Sequence, residues 1–401
     1  MTRPLNDPRH VAATRARRWL RALAAALALA GCGGGVETGG TGTAFVSGAV
    51  TGFGSVVVGG VRFDDTRAAV TDGDGTARSR DDLRLGMTTE VRGSALATDS
   101  AGTTTSTASS IAFGGDILGP VEAIDATARR LTVLGQGVDV DAGTVFDDAT
   151  LASGFASLAI GNVVEVYALL DTATGRYTAS RIERKAGVAA YRLRGVVARL
   201  DAAARTFAIG AATISYASAS DTGTVAAGLA NSSLVRVRLQ TAKVAGAWPL
   251  ARLDDGRQKP GDNEAARVEG RVDGLSDASH FRVNGVAVDA SRIGAVAGLV
   301  LGARVEVEGT TTADVLIASK VSLRSSGEVQ REGFEVRGAI ASVDAANQRF
   351  VVRGVSVGYA AGSTDFRNGT AAGLTVGANV EARGTLSGDG TRLVATRITF
   401  K

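Results

Sequence analysis

One strand-like segment recurs five times along this chain of 401 residues, and this repeat constrains the fold more than any other feature. Most copies begin with glycine and then alternate aliphatic with polar or charged residues, which indicates a β-strand with one buried face. Successive copies begin 75, 71, 70 and 75 residues apart. They are GMTTEVRG (86–93), GNVVEVYA (161–168), a degenerate SSLVRVRL (232–239), GARVEVEG (302–309) and GANVEARG (377–384). The repeat therefore predicts five units of one β-rich module.

Two further motifs precede this strand in the units. A strand with a central glycine opens each unit: VSGAV (46–50), LGPV (118–121), RGVV (194–197), VEGRV (268–272) and VRGAI (336–340). In units two to five an aspartate–alanine pair follows it, at Asp125, Asp201, Asp277 and Asp344. Aspartate at such a position accepts backbone hydrogen bonds and starts a chain reversal. Short strands joined by tight turns predict a small barrel of five or six strands, because closure removes exposed strand edges.

With these motifs the chain resembles the domain-of-unknown-function family numbered 5666. The resemblance rests on the glycine-centred strand, the aspartate–alanine turn, the glycine-led VEVEG strand, and an aromatic strand ending in glycine (207–210, 281–285 and 350–354). It covers most of residues 44–401. The resemblance implies an OB-like β-barrel as the repeating unit and an occurrence in bacterial envelope proteins, often behind lipoprotein signals. It brings no established activity and no catalytic residues.

The predicted fold class is all-β, a tandem array of about five small OB-like β-barrels after an N-terminal signal helix. Glycine is abundant, at 53 of 401 residues with only 5 prolines, which suits many tight turns. The predicted domains are a signal peptide (1–31), a glycine-rich tether (32–43), barrel units (44–115, 116–186, 187–253, 264–328 and 329–401), and an exposed linker (254–263) before unit four.

The N-terminus has the layout of a lipoprotein signal. Six arginines precede the nine-residue apolar run 22–30, which is too short to span a bilayer as a helix, since that takes ~20 residues. Leu29, Ala30, Gly31 and Cys32 resemble the lipobox of bacterial lipoproteins, whose processing attaches a diacylglycerol to the cysteine sulfur and cleaves before it. Cys32 is the only cysteine of the chain, so lipidation at Cys32 is the predicted modification.

Charge and sorting signals define the expected compartment and partners. Without residues 1–31 the chain has 38 basic and 39 acidic residues, so the positive formal net charge of +4 comes from the leader. Because the remaining chain is not basic, a nucleic-acid partner is not expected. Gly33, rather than aspartate, follows the cysteine, and by resemblance to enteric lipoprotein sorting this favours the outer membrane, facing the periplasm. The expected partners are the membrane, through the lipid, and envelope proteins or glycans.

Little in the sequence indicates catalysis or a cofactor. Beyond the leader His280 is the only histidine, and it occupies a position where sister units have arginine or glutamine, so a surface residue is expected. No phosphate-binding loop or nucleophile elbow is present. Asp72 and Asp74 alternate with glycine and form a minor calcium candidate, but the EF-hand spacing is missing and a solvated turn is favoured.

The sequence thus favours a non-enzymatic, membrane-tethered envelope lipoprotein that acts as a modular scaffold or protein-interaction surface. Tandem modules on a tether offer repeated weak contacts and hence avidity. Two alternatives stay open: a binding protein for an envelope glycan or small molecule, and, less favoured, a hydrolase that uses carboxylates alone.

Overall fold

A computed structural model describes residues 43–217, 228–325, 333–360 and 362–401. The predicted signal peptide, with Cys32 and the lipobox residues 29–31, lies outside these residues. Within them the chain is all-β, as predicted, and forms five small closed barrels. None of the described helices is long and apolar enough to cross a membrane.

The barrels share one connectivity. Barrel 1 contains β1 (Thr43–Phe53), β2 (Val56–Val58), β3 (Val61–Asp64), β4 (Ala69–Asp72), β5 (Ala77–Arg78), a 3-10 turn (Arg80–Asp82), β6 (Thr88–Ser94), β7 (Ala97–Thr98) and β8 (Thr104–Phe113). Its five main strands close in the order β1-β2-β3-β8-β6-β1. All these pairs are antiparallel except β3 with β8, which is parallel. Closure gives each main strand two neighbours within its own barrel.

The other barrels repeat this order. Barrel 2 contains β9 (Ile117–Asp125), β10 (Arg130–Val133), β11 (Gln136–Asp139), β12 (Val145–Phe146), a 3-10 turn (Gly154–Ser157), β13 (Val163–Asp171) and β14 (Arg176–Arg184). Barrel 3 contains β15 (Tyr191–Asp201), β16 (Thr206–Ile209), β17 (Ala212–Ser215), β18 (Leu234–Leu239) and β19 (Trp248–Asp255).

Barrel 4 contains β20 (Asn263–Leu275), β21 (His280–Val283), β22 (Val286–Asp289), β23 (Arg304–Thr312) and β24 (Val315–Leu323). Barrel 5 contains β25 (Phe334–Asp344), β26 (Arg349–Val352), β27 (Val355–Gly358), β28 (Asp365–Arg367), a 3-10 turn (Ala371–Gly373), β29 (Asn379–Leu386) and β30 (Leu393–Phe400). In every barrel the recurring strand of the sequence repeat is the fourth main strand, paired with the first and the fifth.

The repeat glycines and aspartates have clear structural roles. The fifth strand of each barrel bulges opposite the eighth repeat position of the fourth strand, which is Gly309 in barrel 4, and bulges add the curvature that closure needs. A Cβ on Gly309 would collide with the carbonyl oxygen of Ile317. Asp277 Oδ1 accepts hydrogen bonds from the N–H groups of Ser279 (2.7 Å) and His280 (2.8 Å), as predicted for this turn.

Apolar side chains fill the barrels. The aromatic residue of the second strand, Phe207, Phe281 or Phe350, is buried in its barrel. One continuous core cluster contains residues of barrels 1 and 5 together with Val145 and Tyr167 of barrel 2. The barrels therefore share apolar surface across their boundaries, which supplements the small core that each has alone.

Strand pairing between barrels does not follow chain order. β1 pairs in parallel with β20 (Ala44 opposite Ala265) and, near its other end, with β25 (Gly52 opposite Glu335). β9 pairs with β15 and so joins barrels 2 and 3. The described residues accordingly form one compact unit. The tandem repeat in sequence is thus a cluster of barrels in space, with barrel 1 between barrels 4 and 5 in strand pairing.

The predicted exposed linker 254–263 is shorter and less exposed than expected. β19 extends to Asp255 and β20 begins at Asn263, so only 256–262 connect the two barrels. Pro260 is buried, and Arg92 of barrel 1 donates hydrogen bonds to the carbonyl oxygens of Lys259 (2.6 Å) and Pro260. The segment does connect two barrels, and its backbone carbonyls bind Arg92, a contact that a polar, proline-containing composition does not reveal.

Candidate functional site

The calcium candidates Asp72 and Asp74 lie in the hairpin between β4 and β5, and both bind arginine. Asp72 Oδ1 accepts from the N–H groups of Asp74 (2.9 Å) and Thr76 (3.0 Å), and Oδ2 accepts from Arg78 Nη2 (2.6 Å). Asp74 Oδ2 accepts from Arg192 Nη1 (2.9 Å) of barrel 3.

These contacts determine the charge of the hairpin. Burial opposes ionisation of Asp72, but the hydrogen bonds from Arg78, Thr76 and Asp74 together outweigh it and lower the pKa of Asp72. The described residues contain no group of three or more His, Cys, Asp and Glu side chains able to hold a metal ion. The geometry of the hairpin is that of a receptor for arginine side chains.

The hairpin borders a cleft of about 490 Å³ between barrels 1 and 3, which we call the 1–3 cleft. The connecting segment 256–258 and Asn284 complete its wall. A cavity of this volume lies within the range of small-ligand sites, ~300–1,000 Å³. Its wall on the barrel 3 side is rich in arginine: Arg194, Arg236, Arg238, Arg252 and Arg257.

Alternation along the strands brings these arginines together. Arg194 on β15 lies directly opposite Arg236 on β18, and Arg192 lies opposite Arg238. Arg238 in turn lies opposite Arg252 on β19. Directly opposed residues have Cβ atoms ~5 Å apart, and like charges at this spacing are destabilising. The sheet therefore needs negative charge against this face.

Carboxylates supply that charge for four of the five arginines. Arg194 Nη1 lies 3.3 Å from Asp116 Oδ1, and both side chains are buried. The other three pairs are Arg238 with Asp74 (3.8 Å), Arg252 with Asp254 (2.9 Å) and Arg257 with Asp255 (3.0 Å).

Arg236 is the exception. No residue in the described part of the chain forms a hydrogen bond or ion pair with its side chain. Its guanidinium rests against the backbone of Gly73 and Gly114, where a Cβ on Gly73 would lie 2.9 Å from Nη1. Burial, and next the neighbouring Arg194, lower the pKa of Arg236. The guanidinium thus lies in a space that only glycine leaves open. It has no hydrogen-bond partner among the described residues, although Asp116 and Glu90 are near enough to act on its charge.

Glu90 on β6 is the matching exception among the acids of the cleft. Like Arg236 it lines the wall, and its carboxyl has no partner among the described residues. Burial raises the pKa of Glu90, against the opposing effects of Arg236, Arg194 and Arg92. Arg236 and Glu90 therefore face one cavity with their hydrogen-bonding groups unused.

A second cleft of about 470 Å³ lies on the other side of the same hairpin, toward barrel 2. Its charges are paired. Glu165 Oε1 accepts from Arg192 Nη2 (2.5 Å), and Lys185 Nζ lies 3.2 Å from Glu165 Oε2 and 2.5 Å from Glu183 Oε2. Arg181 Nε donates to Glu183 Oε1 (2.5 Å). This network joins barrels 2 and 3 and pairs Arg181, Lys185 and Arg192 with carboxylates.

His280 lies away from both clefts, on the surface of barrel 4. Its Nδ1 is 3.0 Å from Asp277 Oδ2 and its Nε2 is 3.8 Å from Asp289 Oδ1. More than half of the His280 side chain is exposed, at 55%. The predicted surface location of His280 is confirmed.

The fold defines a tandem array of closed five-stranded barrels, and comparison with protein families agrees with it. Residues 119–183, 269–322 and 337–399 match the family described as Domain of unknown function (DUF5666). The matched segments lie in barrels 2, 4 and 5. These three separate matches are consistent with tandem copies of this domain. No curated protein matches the chain.

The sequence prediction did not identify Arg236 or Glu90. A signal was present at the fifth position of the repeated strand, where four copies have glutamate (Glu90, Glu165, Glu306 and Glu381) and the third has Arg236. The third copy was interpreted only as degenerate. In this copy arginine replaces glutamate, and the strand register places Arg236 opposite Arg194. This reversal of charge is the sequence feature that distinguishes the 1–3 cleft.

Proposed function

We propose that the protein is a non-enzymatic, lipid-anchored component of the bacterial cell envelope whose barrels act together as a scaffold or protein-interaction surface. The observation that carries this proposal is the pairing of β1 with both β20 and β25. Barrels held by backbone pairing present surface loops in a fixed arrangement, and a preorganised surface loses less entropy on binding a partner. Each barrel is OB-like in strand order, a fold that exposes binding loops around a rigid core.

The proposed anchor is the lipid on Cys32, followed by the glycine-rich tether, at the outer membrane and facing the periplasm. Intact mass of the protein from the membrane fraction tests it. We expect a chain that begins at Cys32 and carries the added mass of diacylglycerol, and a Cys32→Ser variant that leaves the membrane fraction. A retained leader or an unmodified Cys32 would refute the anchor.

The scaffold function is tested by cross-linking in intact cells. We expect the same few envelope proteins to be recovered with the wild-type chain in repeated experiments and to be lost when Arg192→Ala loosens barrels 2 and 3. An Arg367→Ala variant, altered on the exposed surface of barrel 5, is the control for nonspecific capture. If the same envelope proteins are recovered with Arg192→Ala as with the wild type, a binding surface that depends on the fixed arrangement of the barrels would be contradicted.

A second candidate function is the binding of an envelope glycan or small molecule, and the 1–3 cleft is the observation that favours it. The cleft has suitable volume and convergent polar groups. Glycan-array binding by the full chain tests it, with a reproducible signal expected for a defined set of glycans.

A hydrolase that uses carboxylates alone finds less support. Such an enzyme needs two carboxyl groups available to one substrate. Among the described residues that line the 1–3 cleft, Glu90 is the only acid that lacks an arginine partner. Each of the other acids forms one of the arginine pairs described for the candidate site. Release of reducing sugar from envelope polysaccharide by the purified chain would contradict the non-enzymatic proposal.

A further inference from the structure

The 1–3 cleft is the place where the charge pattern of the repeat changes. The first and fourth main strands pair in every barrel, and one ladder pair is equivalent in all five. That pair is Ser47 with Glu90, Leu118 with Glu165, Arg194 with Arg236, Glu269 with Glu306, and Arg337 with Glu381. Only barrel 3 places two cations there.

In barrels 2, 4 and 5 the glutamate of this pair has cationic partners within the protein. Glu165 lies 2.5 Å from Arg192, Glu306 lies 3.5 Å from Arg267, and Glu381 lies 2.8 Å from Arg383. In barrel 1 the equivalent Glu90 has no such partner among the described residues. The charge pairing of the repeat therefore changes twice. Glu90 keeps the glutamate but lacks a cationic partner among the described residues, Arg236 replaces the glutamate, and both residues face the same cavity.

Intramolecular needs do not account for either change. Arg236 stands opposite Arg194, and a like-charge pair costs stability that glutamate at this position would avoid. Gly73 and Gly114 leave space for the guanidinium, and a side chain at Gly73 would press on it. A guanidinium with unused hydrogen-bond donors beside a polar cavity is suited to an external anion, since its planar arrangement of N–H groups binds carboxylate through two parallel hydrogen bonds.

We propose that the 1–3 cleft binds a small hydroxylated monocarboxylate, of the sugar-acid class, with Arg236 donating to the ligand carboxylate and Glu90 hydrogen-bonding a ligand hydroxyl. This inference rests on the second proposed function, ligand binding in the cleft, and specifies its chemistry. One free guanidinium matches a single negative charge. The second free group, Glu90, is an acid, which disfavours a doubly charged phosphate and favours a hydroxyl.

Titration calorimetry of the full-length chain in detergent tests the proposal with three probes: D-glucuronate, neutral D-glucose, and glucose 6-phosphate. We expect saturable binding of glucuronate, with glucose and glucose 6-phosphate at least ~10-fold weaker. No glucuronate binding at millimolar concentration, equal binding of glucose, or tighter binding of glucose 6-phosphate would each overturn the assignment.

Variants at Arg236 separate its role from a general effect on folding. Arg236→Gln should weaken glucuronate binding at least ~10-fold. Arg236→Lys keeps the charge but loses the paired N–H donors of the guanidinium, and it should weaken binding less. The matched control is Arg383→Gln, on the equivalent strand of barrel 5, and it should bind as the wild type does. Since Arg236 opposes Arg194, Arg236→Gln is expected to keep the thermal unfolding midpoint.

Two results distinguish this inference from the function on which it rests. If the chain binds neutral glycans on an array and Arg236→Gln leaves that binding unchanged, ligand binding stands and the role of Arg236 is wrong. If neither glycans nor glucuronate bind, both fail, and the scaffold proposal is still tested separately by cross-linking.

Discussion

Arg192 of barrel 3 and Glu165 of barrel 2 form an ion pair of 2.5 Å across the boundary between their barrels, with only 11% and 7% of the side chains exposed. Removing one member of a buried pair leaves the other charge desolvated, at a cost of ~3–5 kcal/mol. Because Lys185 stays near Glu165, we expect Arg192→Ala to lower the free energy of unfolding by about 3 kcal/mol, at the low end of that range.

Urea unfolding followed by tryptophan fluorescence measures this loss, since Trp248 is buried in barrel 3. The control is Arg367→Ala, which breaks an exposed pair with Asp365 and should cost less than ~1 kcal/mol. Equal losses in the two variants would show that the pair between barrels contributes no more than a surface contact.

Tyr177 also joins barrels 2 and 3. Its hydroxyl donates a hydrogen bond of 2.6 Å to the carbonyl oxygen of Arg194, and burial raises the pKa of Tyr177. Tyr177→Phe removes this donor and should cost about 1–2 kcal/mol of unfolding free energy. In a spectroscopic pH titration, Tyr177 should stay un-ionised at the pH where exposed tyrosines ionise. The number of tyrosines that titrate near the ordinary pKa should therefore be the same in the wild type and in Tyr177→Phe, and one fewer in the variant would contradict this.

Glu183 should make the protein sensitive to acid. Burial opposes its ionisation most strongly, but Arg181 and Lys185 outweigh burial and lower the pKa of Glu183 below its usual 4.5. Its contribution to stability is therefore complete above pH 4.5 and is lost as pH falls through the folded-state pKa. We expect Glu183→Gln to destabilise the chain at pH 7 by at least ~2 kcal/mol, and the difference to vanish in stronger acid, as measured by urea midpoints across pH.

Glu90 should show the opposite dependence. Burial raises its pKa, so the folded chain prefers the protonated carboxyl and loses stability as pH rises through the folded-state value. Glu90→Gln cannot ionise. The variant should therefore be more stable than the wild type at pH 8 and equal to it below pH 4.5, and a destabilised variant at pH 8 would contradict the assignment.

The bulge glycine of the repeated strand should not tolerate a side chain. In Gly309→Ala the new Cβ meets the carbonyl oxygen of Ile317, and the strand must shift at a cost of about 1–3 kcal/mol. The control is Gly388→Ala, in the turn before β30, where no atom lies within 4 Å of the added Cβ. Thermal unfolding should separate the two, with the control within ~0.5 kcal/mol of the wild type.

The barrels themselves were accessible from the sequence. The alternation in Val305, Glu306 and Val307 and the turn at Asp277 are local patterns, and each determines a strand or a reversal without reference to distant residues. The burial of Phe281 follows from the same alternation. Five repetitions of these patterns were enough to predict five closed modules.

The arrangement of the barrels was not accessible in the same way. Ala44 pairs with Ala265 through backbone groups, and a strand edge offers the same backbone donors and acceptors whatever its side chains are. The 1–3 cleft arises from that arrangement, since Glu90 and Arg236 belong to different barrels. The charge reversal at Arg236 is visible in the repeat, but the cavity that it faces is not. Only their placement at one cavity reveals that both lack partners.

The two parallel pairings of β1 affect how the chain reaches its final structure. The strand is made early, yet its partners at Ala265 and Glu335 follow more than 200 and 280 residues later. Contacts so distant in sequence slow folding, because long loops must close first. Until barrels 4 and 5 have been made, the stretches of β1 that pair with β20 and β25 lack a neighbouring strand on those edges. Truncated chains that lack barrel 4 are therefore expected to aggregate through the uncovered edge of β1.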